Sequence, residues 1–290
     1  MIEGIIVNTL VRGGVYALLA LGFSLIFGVA RVLQLAHTAF YMIAAYGIFY
    51  FADMLGWPPV LSILVSIIVT TGIGLLTYKL VIDRVREHHV TVMLITLAVA
   101  IVFQELMLIA FTGQYRSAPS FVEGNFTILG VKVVYQHALI FIGALVVLAI
   151  IWLLLSKTRL GIAIRATAQD TEVANLMGIN VSTILFTVMG IATALAAVAG
   201  VLVAPTLVLE PHMLWPPFVM VMAIITLGGL GSVKGSIIGA FVLALVEVLV
   251  VYLLPTGAFL KGAAALLVMV IVLVFRPEGL FGVVFEEERL

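Results

Sequence analysis

The residues able to do chemistry in this chain are few, and most stand in apolar surroundings. Gln104 and Glu105 lie inside an apolar run at 90–112, Glu247 inside one at 235–254, and Arg12 inside one at 5–30. A charge in hydrocarbon is costly, so such groups face a partner, a watery cavity or one another, and they are candidates for lining a path through a membrane. Each is also open to a structural reading, as an ion pair or a hydrogen bond between packed helices. Gln34 and His37 sit at a break between two apolar runs, where an interrupted helix exposes backbone groups to a passing zwitterion. A packing histidine is the plainer alternative. Gly228, Gly229 and Gly231 supply either flexibility at the mouth of such a path or a tight turn. Glu210, Pro211, His212 and Trp215 form a polar and aromatic cluster, read as an interfacial anchor or a docking surface.

Enzymatic and metal chemistry has little to build on. There is no cysteine, hence no disulfide and no thiolate ligand or nucleophile. H-E-x-x-H spacing and a nucleophile elbow are absent, and His88 and His89 are adjacent, a poor geometry for chelating one metal. No G-x-x-x-x-G-K-[ST] phosphate loop occurs; the glycine-rich run 228–235 carries its lysine before its last glycine. The chain is therefore expected to hold no cofactor and to be no ATPase of its own.

The elements that must position these residues are transmembrane helices. Of 290 residues 64% are hydrophobic and 10% charged, and the mean hydropathy is +1.33, far above the make-up of soluble domains. Lys plus Arg and Asp plus Glu number 14 each, so no basic surplus points to nucleic acid and the partner implied is the lipid bilayer. Hydrophobic segments fall at 5–30, 38–55, 60–82, 90–112, 137–155, 184–204, 218–227, 235–254 and 258–275. The expected fold is all-α, a polytopic helical membrane protein of about nine segments in a single domain spanning 1–290. The seventh segment, introduced by Trp215-Pro216-Pro217 and followed by Gly228-Gly229-Leu230-Gly231, is too short for an ordinary span and reads as broken or re-entrant. Residues 1–4 precede the first run without a positive charge, so they read as the start of the mature protein and not as a signal peptide.

With nine crossings and the N-terminus outside, Arg31, Lys79, Arg84, Arg86, Lys157, Arg159, Arg165, Lys234, Arg276 and Arg289 fall on the cytoplasmic side, and only Arg12, Arg116, Lys132 and Lys261 on the other. The tail 277–290 and the loop 156–183 are then cytoplasmic, in a cell (inner) membrane protein. The loop 113–136 is extracytoplasmic, with a short hairpin expected at 126–134 as a small cap.

Within the cytoplasmic loop, Asp170 is placed to N-cap a short helix with Glu172 in its first turn, and Gly178 to end it in the left-handed conformation. Val173, Leu176 and Met177 fall at i, i+3 and i+4 and make one apolar face on about two turns, too short to be stable alone in water. That face packs either on the protein's own inner surface or into a separate cytoplasmic protein, with Arg165, Asp170 and Glu172 adding charge complementarity around it.

The stretch Gly161-Ile162-Ala163-Ile164-Arg165-Ala166, on through Asp170 to Leu176-Met177-Gly178-Ile179-Asn180, resembles the coupling loop of branched-chain amino acid ABC permeases of the LivH type. Tyr16-Ala17-Leu18 with Ala20-Leu21-Gly22, Gln34-Leu35-Ala36-His37 with Tyr41-Met42-Ile43, and Leu227-Gly228-Gly229-Leu230-Gly231-Ser232 with Gly235 resemble the same family, in order along the whole chain. The resemblance implies an importer of two permease subunits, the second a related but distinct chain, with two cytoplasmic ATPases and an extracytoplasmic substrate-binding protein. ATP is hydrolysed by the partner subunits, and substrate moves by alternating access. Related permeases carry urea, amides or sugars. A competing reading from the residues is an ion-coupled secondary transporter with Glu105 and Glu247 as coupling carboxylates.

Overall fold

The computed structural model describes residues 2–86, 88–128 and 131–282. The expected hairpin tip at 129–130 and the tail from 283, with Arg289, lie outside the described residues. In chain order the helices are α1 (Ile2–Ala30), α2 (His37–Ile48, continued by a π-helical stretch Phe49–Met54), α3 (Pro59–Thr77, continued by Tyr78–Ile82) and α4 (His89–Phe111). They continue as α5 (Tyr135–Lys157), α6 (Arg159–Gln169), α7 (Thr171–Leu176), α8 (Val181–Val203), α9 (Trp215–Gly228), α10 (Val233–Leu253) and α11 (Gly257–Phe275). Strands β1 (Asn125–Ile128) and β2 (Val131–Val134) pair antiparallel between α4 and α5. A span must satisfy every backbone group internally, and these apolar stretches do so as helices.

Among the described residues seven helices are long and apolar enough to cross a membrane: α1, α3, α4, α5, α8, α10 and α11. The expected segment 38–55 is α2 with its π-helical continuation, and 218–227, expected to be too short for an ordinary span, lies in the 14-residue α9. Helix α1 runs through the middle, packed on α5, α8, α9 and α10, while α2 is wedged between α3 and α8. Every residue of α2 except Gly47 is buried. Helices α5 and α11 turn Leu145, Ile150, Trp152, Leu267, Val270 and Val274 outward, as lipid-facing helices do.

Two returns interrupt this bundle. After α1 the chain doubles back without helix over 31–36, so that His37 Nε2 lies 3.1 Å from the Leu19 carbonyl oxygen, about 16 Å up α1 from its end. After α8 the chain doubles back again over 204–214, and α9 starts at Trp215, whose indole N–H donates to Gln104 Oε1 on α4 (2.6 Å). The sequence of long buried helix, return, short buried helix and long helix thus occurs twice, as α1–α2–α3 and α8–α9–α10, the second return opening with a single 3-10 turn at Ala204–Thr206. Val29 and Ala30 at the end of α1 and Val181 at the start of α8 line one crevice, so the two runs head in opposite directions, as inverted repeats do.

Three boundaries differ from the sequence reading, each for a local reason. Pro216 and Pro217 belong to the first turn of α9, where a missing N–H and a fixed φ are tolerated. The Ser232 hydroxyl accepts from Gly235 N (3.1 Å), so α10 begins at Val233. The loop 156–183 holds a second helix, α6, ahead of the expected one, because the Thr158 hydroxyl caps it by accepting from Gly161 N (3.0 Å).

The small residues spaced by four along α8 let backbones touch. A Cβ at Gly200 would meet the Tyr41 carbonyl of α2, whereas one at Gly72 on α3 would meet nothing within 4 Å. Gly200→Val is therefore expected to destabilise the fold by about 2–3 kcal/mol through overpacking, with Gly72→Val near neutral. Melting of the detergent-solubilised variants checks the difference.

Candidate functional site

Two features at opposite ends of the bundle are built for interaction. At the end away from α6 and α7, Glu247 of α10 is 1% exposed and is engaged by three side chains. Arg12 Nη1 donates to its Oε1, the Tyr16 hydroxyl donates to its Oε2 at 2.8 Å, and Lys261 Nζ lies 3.5 Å from Oε1. Arg12 and Tyr16 reach it together because i and i+4 share a helix face. Lys261 reaches it because Glu247 and Lys261 stand equally far on either side of Leu254, in the turn joining the antiparallel α10 and α11.

One buried carboxylate thus anchors two cations whose side chains remain 40% and 45% exposed. Arg12, Tyr16 and Lys261 line a cavity of about 440 Å³ with Tyr41, His137, Pro216 and Pro217. Its apolar wall comes from Val11, Val15, Val203, Leu207, Val208 and Met213, and Glu210 stands on its lining without an ion pair among the described residues. Cations with their own counter-ion behind them, an acidic group and apolar surface between them are the groups a small aliphatic zwitterion requires. The 204–214 return that supplies Glu210 is pinned by paired backbone bonds between Arg116 and Leu209, Arg116 N to Leu209 O at 3.1 Å and the reverse at 2.8 Å.

The other residues singled out in the sequence fall elsewhere. Gln34 and His37 are buried in the core at the start of α2, 1% and 0% exposed, and do not line this cavity. Gln104 links Trp215 to Glu105, donating from Nε2 to Glu105 Oε1 (3.3 Å), and Glu105 lies on an exposed face of α4. Gly228, Gly229 and Gly231 form the turn between α9 and α10 at the α6 end. Gly229 and Gly231 have φ of +98° and +78°, and a Cβ at Gly228 would strike the Gly235 backbone, so tight-turn geometry accounts for all three. Sequence reasoning missed Tyr16, Tyr41 and Lys261. The four-residue step from Arg12 and the symmetry about Leu254 were available signals for Tyr16 and Lys261; nothing local marks Tyr41.

At the other end, Asp170 Oδ1 accepts from Glu172 N (2.8 Å) and Val173 N (2.9 Å), and Gly178 follows α7 with φ +84°. Ala174 alone in α7 is buried. Val173, Leu176 and Met177 are 53%, 86% and 78% exposed, so nothing among the described residues covers the apolar face. Helix α6 carries α7: its Gly161, Ile164 and Thr167 are buried against the bundle, while Arg165 points outward. Asp170→Ala removes the cap, worth about 1 kcal/mol, and is expected to speed amide exchange at Glu172 and Val173 about fivefold. Asp170→Asn is expected to preserve protection.

Among the described residues, seven long apolar helices around interrupted buried ones, with a charged cavity at one end and an uncovered apolar helix at the other, define a multi-pass membrane protein. Residues 5–275 match the family described as branched-chain amino acid transport system / permease component, and the chain belongs to that family. It is 30% identical to the high-affinity branched-chain amino acid transport system permease protein BraD of Pseudomonas aeruginosa, over 96% of this chain and 94% of that one. It is 26% identical to the corresponding LivH of Escherichia coli K12 (95% and 94% covered) and 27% identical to a probable LivH of Methanocaldococcus jannaschii (96% and 92% covered). In fold it is similar to a chain in the structure of PsaBC from Streptococcus pneumoniae in complex with Fab, with a TM-score of 0.51, 14% identity and 95% of each chain covered.

Proposed function

We propose that this chain is the membrane-spanning permease subunit of an ABC importer that moves branched-chain amino acids by alternating access. The observation that carries the coupling is the uncovered face of Val173, Leu176 and Met177 on a short helix that follows directly on α6. An apolar face left open at a cytoplasmic end calls for a partner, and Arg165, Asp170 and Glu172 around it supply charge for recognition. One of the two ATPase subunits seats there; closure of the pair on ATP pushes on α6 and α7, and through them on α5 and α1. A second, related permease completes the membrane unit, and a binding protein delivers substrate to the face carrying β1, β2 and the 204–214 return, so the hairpin acts as an extracytoplasmic cap.

Charge supports this orientation, with the N-terminus outside and nine apolar segments in all. Arg31, whose Nη2 is 3.4 Å from the Gln169 carbonyl oxygen, Arg86 in the crevice with Thr171, and Lys157, Arg159 and Arg165 gather at the α6 and α7 end, as the positive-inside rule requires of a cytoplasmic face. In the outer cavity Arg12 and Lys261 receive the substrate carboxylate, Glu210 its ammonium and the valine and leucine wall its side chain. The names of the relatives favour branched-chain amino acids over urea, amides or sugars. The ion-coupled alternative is disfavoured, because Glu247 is held by two cations and a phenol rather than poised to exchange a proton. Reconstituted with its co-purifying subunits, the chain is expected to take up leucine, isoleucine or valine only with ATP and binding protein; gradient-driven uptake without ATP would refute the proposal.

A further inference from the structure

A second cavity, of about 290 Å³, lies between α1, α5, α6 and α10 at the α6 end of the bundle. Its walls are almost wholly apolar, with Leu25 of α1 and Leu148, Ile151 and Trp152 of α5 among them, and its lining ends on Arg165 and Lys234. Neither cation makes an ion pair among the described residues. Trp152 is 59% exposed on α5, a spanning helix, so the cavity opens beside lipid. Five residues separate Trp152 from the end of α5, about 8 Å, which puts its ring at the depth of an interfacial belt.

We propose that this groove is a binding site for an anionic phospholipid, one acyl chain lying along Leu25, Leu148, Ile151 and Trp152 and the phosphate held between Arg165 and Lys234. Apolar wall at membrane depth beside two cations at the surface is complementary to that molecule, and basic pockets between membrane helices recognise such headgroups. Arg165 belongs to α6, the helix that carries α7. Lipid occupancy therefore braces the element that presents the uncovered apolar face. The inference needs only that the chain spans a membrane and is independent of what the chain transports.

Each basic residue near a membrane surface favours an anionic headgroup by about fivefold, so the pair sets a preference on the order of 30-fold for phosphatidylglycerol over phosphatidylcholine. The test uses the full chain with Trp57→Phe and Trp215→Phe, leaving Trp152 as its single tryptophan. In nanodiscs with a small fraction of acyl-brominated lipid, Trp152 fluorescence is expected to be quenched at a far lower fraction of brominated phosphatidylglycerol than of brominated phosphatidylcholine. Arg165→Gln with Lys234→Gln is expected to bring the two curves together, and Arg165→Lys with Lys234→Arg to keep them apart. Native mass spectrometry of the chain with its natural tryptophans provides a second reading: retained phosphatidylglycerol that the Gln pair loses. Equal quenching by both lipids in the parent chain, or a preference that survives the Gln pair, would overturn the proposal. If the cations serve only as contacts for cytoplasmic subunits, the isolated chain shows equal quenching.

Discussion

Leu176→Asp is expected to release the cytoplasmic ATPase subunits from this chain while leaving its amount in the membrane unchanged. Leu176 is 86% exposed and Met177 78%, so neither contributes to the chain's own packing, and an aspartate there meets only water while the chain is alone. In the complex the same aspartate enters an apolar contact without a partner. Loss of a central apolar anchor costs about 2 kcal/mol or more, a fall of roughly 30-fold or more in affinity, and burying the new charge adds to it. Leu176→Met conserves volume and should retain binding. Quantitative co-purification from membranes, normalised to the permease, reads the effect. If Leu176→Asp kept its ATPases at the level of the parent chain, α7 would not be the docking element.

Glu247→Ala is expected to give the largest loss of stability among the polar positions. The carboxylate is buried and engages Arg12, Tyr16 and Lys261, so its removal strands two cations against an apolar helix interface. Breaking a buried ion pair costs about 3–5 kcal/mol. Because Arg12 and Lys261 are each partly exposed and re-solvate, about 2–3 kcal/mol is the expected loss. Glu247→Gln keeps the volume and a hydrogen bond to Tyr16 and should lose about half as much. Lys261→Ala, which leaves Arg12 in place, should be milder than either. Thermal unfolding in detergent orders the three. A Glu247→Ala chain as stable as the parent would mean that the ion cluster contributes nothing to the fold.

These two sites were unequally legible in the sequence. Helix α7 was readable because its signals are local: Asp170 as cap, Gly178 as stop, and an apolar triplet at helical spacing. Its exposure was not readable, since the same triplet could have packed on the chain itself. Helix α6 escaped notice because its cap, Thr158, lies against the end of α5, where one helix runs nearly into the next. The Glu247 cluster combines residues from α1, α10 and α11, and only relations across the fold bring Arg12 to Glu247, 235 residues apart. Gln34 and His37 showed the converse. Their polarity in a break suggested a path, but the 31–36 return tucks them into the core, where His37 braces α2 against Leu19. The spans and the shortness of α9 were legible from hydropathy and the flanking Pro and Gly residues, whereas α2 follows a return at 31–36, and no residue run encodes the depth at which that return ends.

The most direct measurement is a mild-detergent pull-down of the tagged chain from its native membrane, identifying every protein that comes with it. The account predicts recovery of Walker-A ATPases and of a second, related permease, with ATPase recovery falling and the second permease retained when Leu176 becomes aspartate. Recovery of the chain alone, from preparations in which other membrane complexes stay intact, would contradict it.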